Sequence, residues 1–528
     1  MSFIDNKNQT ISILFLLFAT FVGYVILLTI TDNNFAYAIS APYIHMSIAK
    51  YFITEGILSV DGETFSSASS SPLWMMLISP FYTLVGSKLF IYVSAFLNIL
   101  FQVLTISIIF KIFKRVTDKT LHYIYAIFLT LATPFVTLTL GGTEHSFQIF
   151  LVVWFLYYFI LYIGDREDRG YQYKMLLLAP FIVFVRYEDF AFIMAVAILM
   201  SLYLKDWRLA IYLILSSLIF VAIFAFWSSV ILGIDPVPTS IIAKSTVGSS
   251  VSLIHKFLAT LHEPHILMLF TLNTAILFIS FKKKSQLLFI LSSVFMLNFV
   301  AHLLFAQIGW MYRYEAYLVM FGMINIILYH HLFEIKGKWL YLISAFVILG
   351  LSKQIAYSPI YASFSAKKIY RQKIQMARFV AKYYTATHLT TDNIGTIPYF
   401  SDVKVFDIHG LTNPEIITLK KQGIYTDSIK KELILKKGNE MIIAYSSRFE
   451  NEKIDGYTKM VDWKVSNRFF PSDSTVSFYS RDDKLKENYQ KIRAFSEDEL
   501  PKDIEVIWSK NMKEYNLSKD NLLKGSLN

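Results

Sequence analysis

"SPLWMMLISPFYTLVG", residues 71–86, is short, apolar and interrupted by Pro72 and Pro80. Whether it crosses a membrane sets the side on which every later loop lies. That a membrane is involved follows from composition. Of 528 residues, 55% are hydrophobic, 16% aromatic and only 17% charged, and Phe alone occurs 46 times. A soluble globular chain carries far less apolar surface, so the chain reads as an integral membrane protein. There is no cysteine, which excludes disulfides, thiolate chemistry and Cys-ligated metals.

Upstream, "ISILFLLFATFVGYVILLTIT" (residues 11–31) is long enough, at about 1.5 Å per residue, to cross a hydrocarbon core of about 30 Å. It lacks a small-residue cleavage site and is expected to be a retained span. Downstream, further spans are expected near residues 89–112, 120–140, 147–163, 174–185, 189–204, 208–232, 265–281, 286–307, 315–332 and 338–354, which makes eleven.

Charge decides how to read 71–86. If the segment stays at the outer face, fifteen Lys and Arg gather on one side, from Lys7 and the stretches "KIFKRVTDK", "DREDRGYQYK", "KDWR", "FKKK" and "KGK", against about six on the other. If it crosses, fourteen of them move outside, against the positive-inside bias. The N-terminus is therefore expected in the cytoplasm. The same bias explains the net charge of +11 without an anionic partner such as nucleic acid. After residue 354 the apolar runs shorten, and "KVFDI", "EMIIAY" and "DIEVIW" alternate with helix-like stretches. The expected division is a membrane domain, 1–354, with a large outer loop at 32–88, and an extracytoplasmic soluble α/β domain, 355–528.

On this topology the polar clusters converge on the outer face. Each also has a plain reading. Glu144 and His145 can be interfacial residues ending a span; Arg186, Glu188 and Asp189 can be a self-neutralising turn. Lys244 can snorkel to the surface, and His45 and Glu55 can be structural. The Ser run at 66–71 contains no nucleophile-elbow pattern. His409 beside Asp407 offers too few ligands for a metal site.

Taken together, the clusters resemble a known family. "PYIHMSIAKYFITEGILSVDGETFSSASSSPLW" (42–74) is similar to the first outer loop of GT-C glycosyltransferases related to the mycobacterial terminal arabinofuranosyltransferase and the LphB-type proteins. The likeness continues in order through "GGTEHSF" (141–147), "RYED" (186–189), "PVPTSIIAKS" (236–245), "WMYRYEAY" (310–317) and "DNIGTIPYFSDVKVFDIHGLTNPEI" (392–416). It implies a polytopic α-helical membrane protein of GT-C type in the bacterial cytoplasmic membrane. The implied activity moves a sugar, such as arabinofuranose, from a polyprenyl-phosphate donor to a glycan, lipid or exported protein such as a pilin. No cofactor or metal is expected.

For such a reaction the leaving phosphate needs cations where charge develops, and Lys244, Arg186 and Arg313 are the candidates. A carboxylate is needed to activate the acceptor or stabilise an oxocarbenium-like centre. Resembling proteins read roughly D-D-P-Y-I-H where this chain reads "SAPYIH", so Ala41 stands where an acid is expected. Asp32, Glu63 and Glu144 are the alternative carboxylates. Tyr43, His45, Glu55, Trp74, His145, Glu188, Asp189 and Trp310 are candidate substrate contacts. A lipid or solute transporter or flippase, or a non-catalytic protein of the same fold, would use the same scaffold differently. A transporter is expected to place its polar residues nearer mid-membrane.

Overall fold

The structure, a computed structural model, describes residues 7–63, 65–116, 122–231, 253–450, 453–465, 474–510 and 512. The chain starts with α1 (Lys7–Ile30), which has no charge after its first residue, then a loop and α2 (Ala41–Glu55), which enters its first turn on Pro42 and stops at Gly56, a left-handed cap at φ 72°. Next comes α3 (Pro72–Phe90), capped by the Ser71 side chain on the Trp74 N–H. Gly86 breaks α3 with φ 74° and ψ 166°. Its straight part, Pro72 to Val85, spans only about 21 Å, short of a hydrocarbon core of about 30 Å.

The helical body continues with α4 (Val93–Val116), α5 (His122–Ala132), α6 (Phe135–Gly141), α7 (His145–Gly164), α8 (Arg169–Val185), α9 (Phe190–Leu202), α10 (Trp207–Ser217) and α11 (Ile219–Phe226). Beyond residue 252 follow α12 (Leu253–Leu261), α13 (Pro264–Lys282), α14 (Gln286–Phe305) and α15 (Ala316–Leu332). Over the described residues, every segment expected to span falls on these helices or on the rod described next, 120–140 on the pair α5 and α6 and 208–232 on the pair α10 and α11. Among the described residues eight helices are long and apolar enough to cross a membrane, or nine with α5 and α6, which bend by 46° at Pro134, taken as one span. That count includes the broken α3. It leaves out α8, α9 and α15, of 17, 13 and 17 residues. The fold is thus that of a polytopic helical membrane protein, with α8 and α9 as short helices meeting inside it.

Next, α16 (Lys338–Ile369) passes through a π turn, Tyr370–Ile374, into α17 (Gln375–Tyr383), forming one rod of 46 residues. Residue 354 lies inside this rod, so a helix and not a linker joins the two regions. The α/β region carries a six-stranded sheet: β1 (His388–Thr391), β2 (Lys404–Asp407), β3 (Met441–Tyr445), β4 (Tyr457–Val465), β5 (Thr475–Arg481) and β6 (Ile504–Trp508), in the order β2-β1-β3-β5-β4-β6. The first three are parallel and the rest antiparallel. Three stretches that read as strands in the sequence are β2, β3 and β6. One face packs Phe379, Trp463, Phe478 and Phe495; the other packs Ile416, Ile434, Ile442 and Tyr479.

The connection from α1 to α3, with α2 in it, is held between the two regions. Asp61 accepts the Val405 N–H at 2.8 Å, and Lys50 pairs with Asp402 at 2.9 Å. A Cβ on Gly395 would lie 3.2 Å from the Ile44 nitrogen and the Ser40 carbonyl oxygen, so only glycine lets this turn pack on α2 without displacement.

Candidate active site

Three helix ends and one strained turn supply the site. Gly142, left-handed at φ 65° after α6, reverses the chain and delivers Glu144 as the residue before α7. The end of α8 delivers Arg186. The first turns of α2 present Ala41 and His45. From the far side comes Arg313, which follows Gly309, Trp310, Met311 and Tyr312, four residues in succession with φ between 47° and 79°. A non-glycine residue in that region costs about 1–3 kcal/mol and persists only when its surroundings enforce it. Here Glu315 does so in part, its Oε2 accepting the Gly309 N–H at 2.8 Å while its Oε1 lies 3.1 Å from His265 Nε2.

These groups surround a cavity of about 110 Å³ lined by Ala41, His45, Ser70, Glu144, Arg186 and Arg313, with Leu411 of the α/β region closing one side. Glu144 Oε1 accepts from Arg186 Nη1 at 2.7 Å and from Ser70 Oγ at 3.3 Å, and its Oε2 faces His45 Nε2 at 3.5 Å. His45 is oriented by Ser69, 3.0 Å from Nδ1. Burial disfavours the charge on Glu144, but His145, His45 and Arg186 outweigh it and hold the carboxyl well below its usual range. Arg186 is committed twice, to Glu144 and to Glu188, and both carboxylates raise its pKa against burial. Arg313 donates Nη2 to the Tyr314 hydroxyl at 2.7 Å, and its Nε has no hydrogen-bond partner among the described residues. Tyr314 lies under both guanidinium groups, 5.3 Å and 4.6 Å from its ring centre.

The structure thus brings together Ala41, His45, Glu144, Arg186 and Arg313, with His145 and Glu188 behind them. It separates several others. Asp32 lies on the surface, pairing with Lys367 at 3.6 Å and Arg371 at 3.2 Å; Glu63 pairs with His388 at 3.4 Å. Neither lines the cavity: Asp32 is held by Lys367 and Arg371 of the rod, and Glu63 lies beside His388 of β1. Glu55 is exposed at the end of α2. Tyr43 is buried, its hydroxyl accepting the Tyr37 N–H, and Trp74 packs on Phe101 and Phe147. Those two are core residues. Asp189 is buried against Gln148 at 2.8 Å, one layer below the cavity. Trp310 stands exposed beside a larger groove. Lys244 lies outside the described residues. Ser70, Tyr314 and the His265–Glu315 pair were missed from sequence. Tyr314 and Glu315 sit inside the quoted "WMYRYEAY" but carry no spacing signal of their own, and His265 lies in no quoted motif. Asp407, singled out beside His409, accepts the His409 and Thr412 N–H groups and closes a turn.

A family model described as a domain of unknown function (DUF8728) matches residues 364–505, the α/β region. No curated protein matches the sequence. Among solved structures, ArnT from Cupriavidus metallidurans bound to undecaprenyl phosphate is similar over 87% of this chain and 96% of that one, at 13% identity and a TM-score of 0.54. The two chains share a fold. An Archaeoglobus fulgidus oligosaccharyltransferase in complex with Zn and sulfate also matches, over 88% of this chain and 73% of that one, at 12% identity and a TM-score of 0.47. Within that shared fold the Glu144 cavity lies where the helical body, the connection from α1 to α3 and the α/β region meet.

Proposed function

We propose that the protein is a glycosyltransferase that moves a sugar from a polyprenyl-phosphate donor to an acceptor hydroxyl at the outer side of the membrane. The observation that carries this reading is the cavity itself, where a buried carboxylate paired with Arg186 shares the lining with Arg313 and Leu411. The similar ArnT structure holds undecaprenyl phosphate, which supports a lipid phosphate as donor. In the transfer, the bond from the anomeric carbon to the phosphate oxygen breaks and a bond to the acceptor oxygen forms. Glu144, ionised and oriented by Arg186, accepts the acceptor proton. The departing phosphate takes its charge to Arg313, whose Nε retains an unused donor, with Arg186 adding field; Lys244 is proposed as a further cation.

The finer reading, arabinofuranose as the sugar and a surface glycan or exported protein as acceptor, rests on the resemblance of the outer-face motifs. The charge distribution supports a cytoplasmic N-terminus and an extracytoplasmic α/β region. Membranes containing the protein, supplied with a radiolabelled polyprenyl-phosphate sugar, should release polyprenyl phosphate. Absence of release across pentose, hexose and aminosugar donors would count against the enzyme reading.

A further inference from the structure

Two buried polar atoms in the lining of the Glu144 cavity face each other, Oε2 of Glu144 and Nε2 of His45, 3.5 Å apart. Neither has a hydrogen-bond partner among the described residues, and the two side chains are only 1% and 2% exposed. A buried polar group left unpaired is costly, and a catalytic role is one reason for a fold to keep it. Hydrogen bonds between catalytic groups are also commonly long until the substrate is bound.

The other end of each side chain is fixed. Glu144 Oε1 is held by Arg186 Nη1 at 2.7 Å and Ser70 Oγ at 3.3 Å. His45 Nδ1 lies 3.0 Å from Ser69 Oγ, which also accepts the Ser71 N–H at 3.2 Å. The serine run thereby has a use in the site. Ser69 sets the ring, Ser70 sets the carboxylate, and Ser71 caps α3 and anchors both. His45 stands one turn after Ala41 on α2, and both line the cavity. The titratable groups packed around the pair are Arg186 and Glu188 at the end of α8, His145 at the start of α7, and Arg313 and Tyr314 of the left-handed turn. The α/β region contributes Leu411, which carries no charge.

Glu144 is well placed to remove a proton and badly placed to keep one, since the cation paired with it and the neighbouring histidines favour its ionised form. We propose that His45 is the second proton acceptor of the transfer: the acceptor hydroxyl gives its proton to Glu144 Oε2, which passes it to His45 Nε2. With its other hydrogen on Nδ1 and donated to Ser69, the ring offers a lone pair at Nε2. The acceptor oxygen bonds to the anomeric carbon, and the bond from that carbon to the phosphate oxygen breaks with its electron pair going to the phosphate. His45 is left as an imidazolium beside the restored carboxylate and returns its proton to water. The step rests on the glycosyl-transfer reading and adds the destination of the proton.

The test is turnover in membranes containing the full-length chain, read as release of polyprenyl phosphate from undecaprenyl-phosphate pentose, hexose and aminosugar donors in turn. His45→Gln keeps an amide near the place of Nε2 and His45→Asn keeps one near Ser69, but neither amide is a base. Both should lower kcat at least about tenfold, a floor under what a positioned acid/base group contributes, with the donor KM changed less than about threefold. Normal kcat in either variant would show that a hydrogen-bond contact is all that His45 supplies, and would overturn the step. The two substitutions are independent, so misfolding of one leaves the other to decide. Combined with Glu144→Gln, either should be no more than about threefold slower than Glu144→Gln alone, because two groups handling one proton act as a unit. A purely structural histidine would instead give losses that multiply, which refutes the step while wild-type transfer upholds the enzyme reading. Wild-type membranes that transfer from none of the three donors would refute the enzyme reading and the step with it.

Discussion

Glu144 and Arg186 form a buried ion pair at 2.7 Å, 1% and 5% exposed, although 42 residues separate them in the chain. Removing one partner of such a pair leaves an uncompensated charge, which costs roughly 3–5 kcal/mol, whereas the isosteric amide keeps the shape and loses the charge. Glu144→Gln should therefore stay folded by size-exclusion profile while transfer from a lipid-linked donor falls by at least about a hundredfold, the lower end of what a positioned base contributes. Arg186→Ala should in addition lower the detergent melting temperature. Normal transfer in Glu144→Gln would remove Glu144 as the base.

Ala41 lines the same cavity as Glu144, at the position where the sequence resemblance raises the expectation of an acid. Asp at 41 would place a carboxylate opposite the two arginines without moving Pro42. Ala41→Asp is expected to raise transfer at least about tenfold, a floor under the usual contribution of an acid/base group. An unchanged rate, measured at equal expression, would mean that Glu144 alone fills the role.

Arg313 differs from Arg186 in having a donor still to place. Arg313→Gln should weaken donor use mainly through turnover, because the phosphate gains charge as it leaves. Steady-state kinetics with varied donor concentration separates kcat from KM. A change confined to KM would make Arg313 a binding residue without a part in departure of the phosphate.

The pH dependence follows from the depressed pKa of Glu144. A carboxyl whose folded-state pKa lies below its ordinary value of 4.5 stabilises the fold above that value, and the contribution is lost as pH falls through the depressed one. Between about pH 7 and pH 3, the melting temperature of the wild type should consequently fall more steeply than that of Glu144→Gln. Parallel curves would show that the neighbouring cations do not hold the charge.

Topology is open to a direct test. A reporter active only outside the cytoplasm, fused after Asn528, is expected to be active. Activity of a cytoplasm-only reporter at the same point would reverse the charge-based orientation.

Composition and periodicity alone determined that this chain is a helical membrane protein with an α/β region, and they located the long apolar helices and three of the six strands, because apolar length and alternation are local properties that each segment carries by itself. They also marked the polar stretches from which the cavity is built. Which carboxylate reaches the arginines was decided only by tertiary packing. Asp32, Glu63 and Glu144 are equivalent in sequence, but Asp32 is captured by Arg371, 339 residues away, and Glu63 by His388, which leaves Glu144 under Arg186. The same holds for Arg313, whose placement depends on a left-handed turn held by Glu315. Ion pairs and strained turns of this kind depend on distances between segments far apart in the chain, and no local pattern encodes those distances.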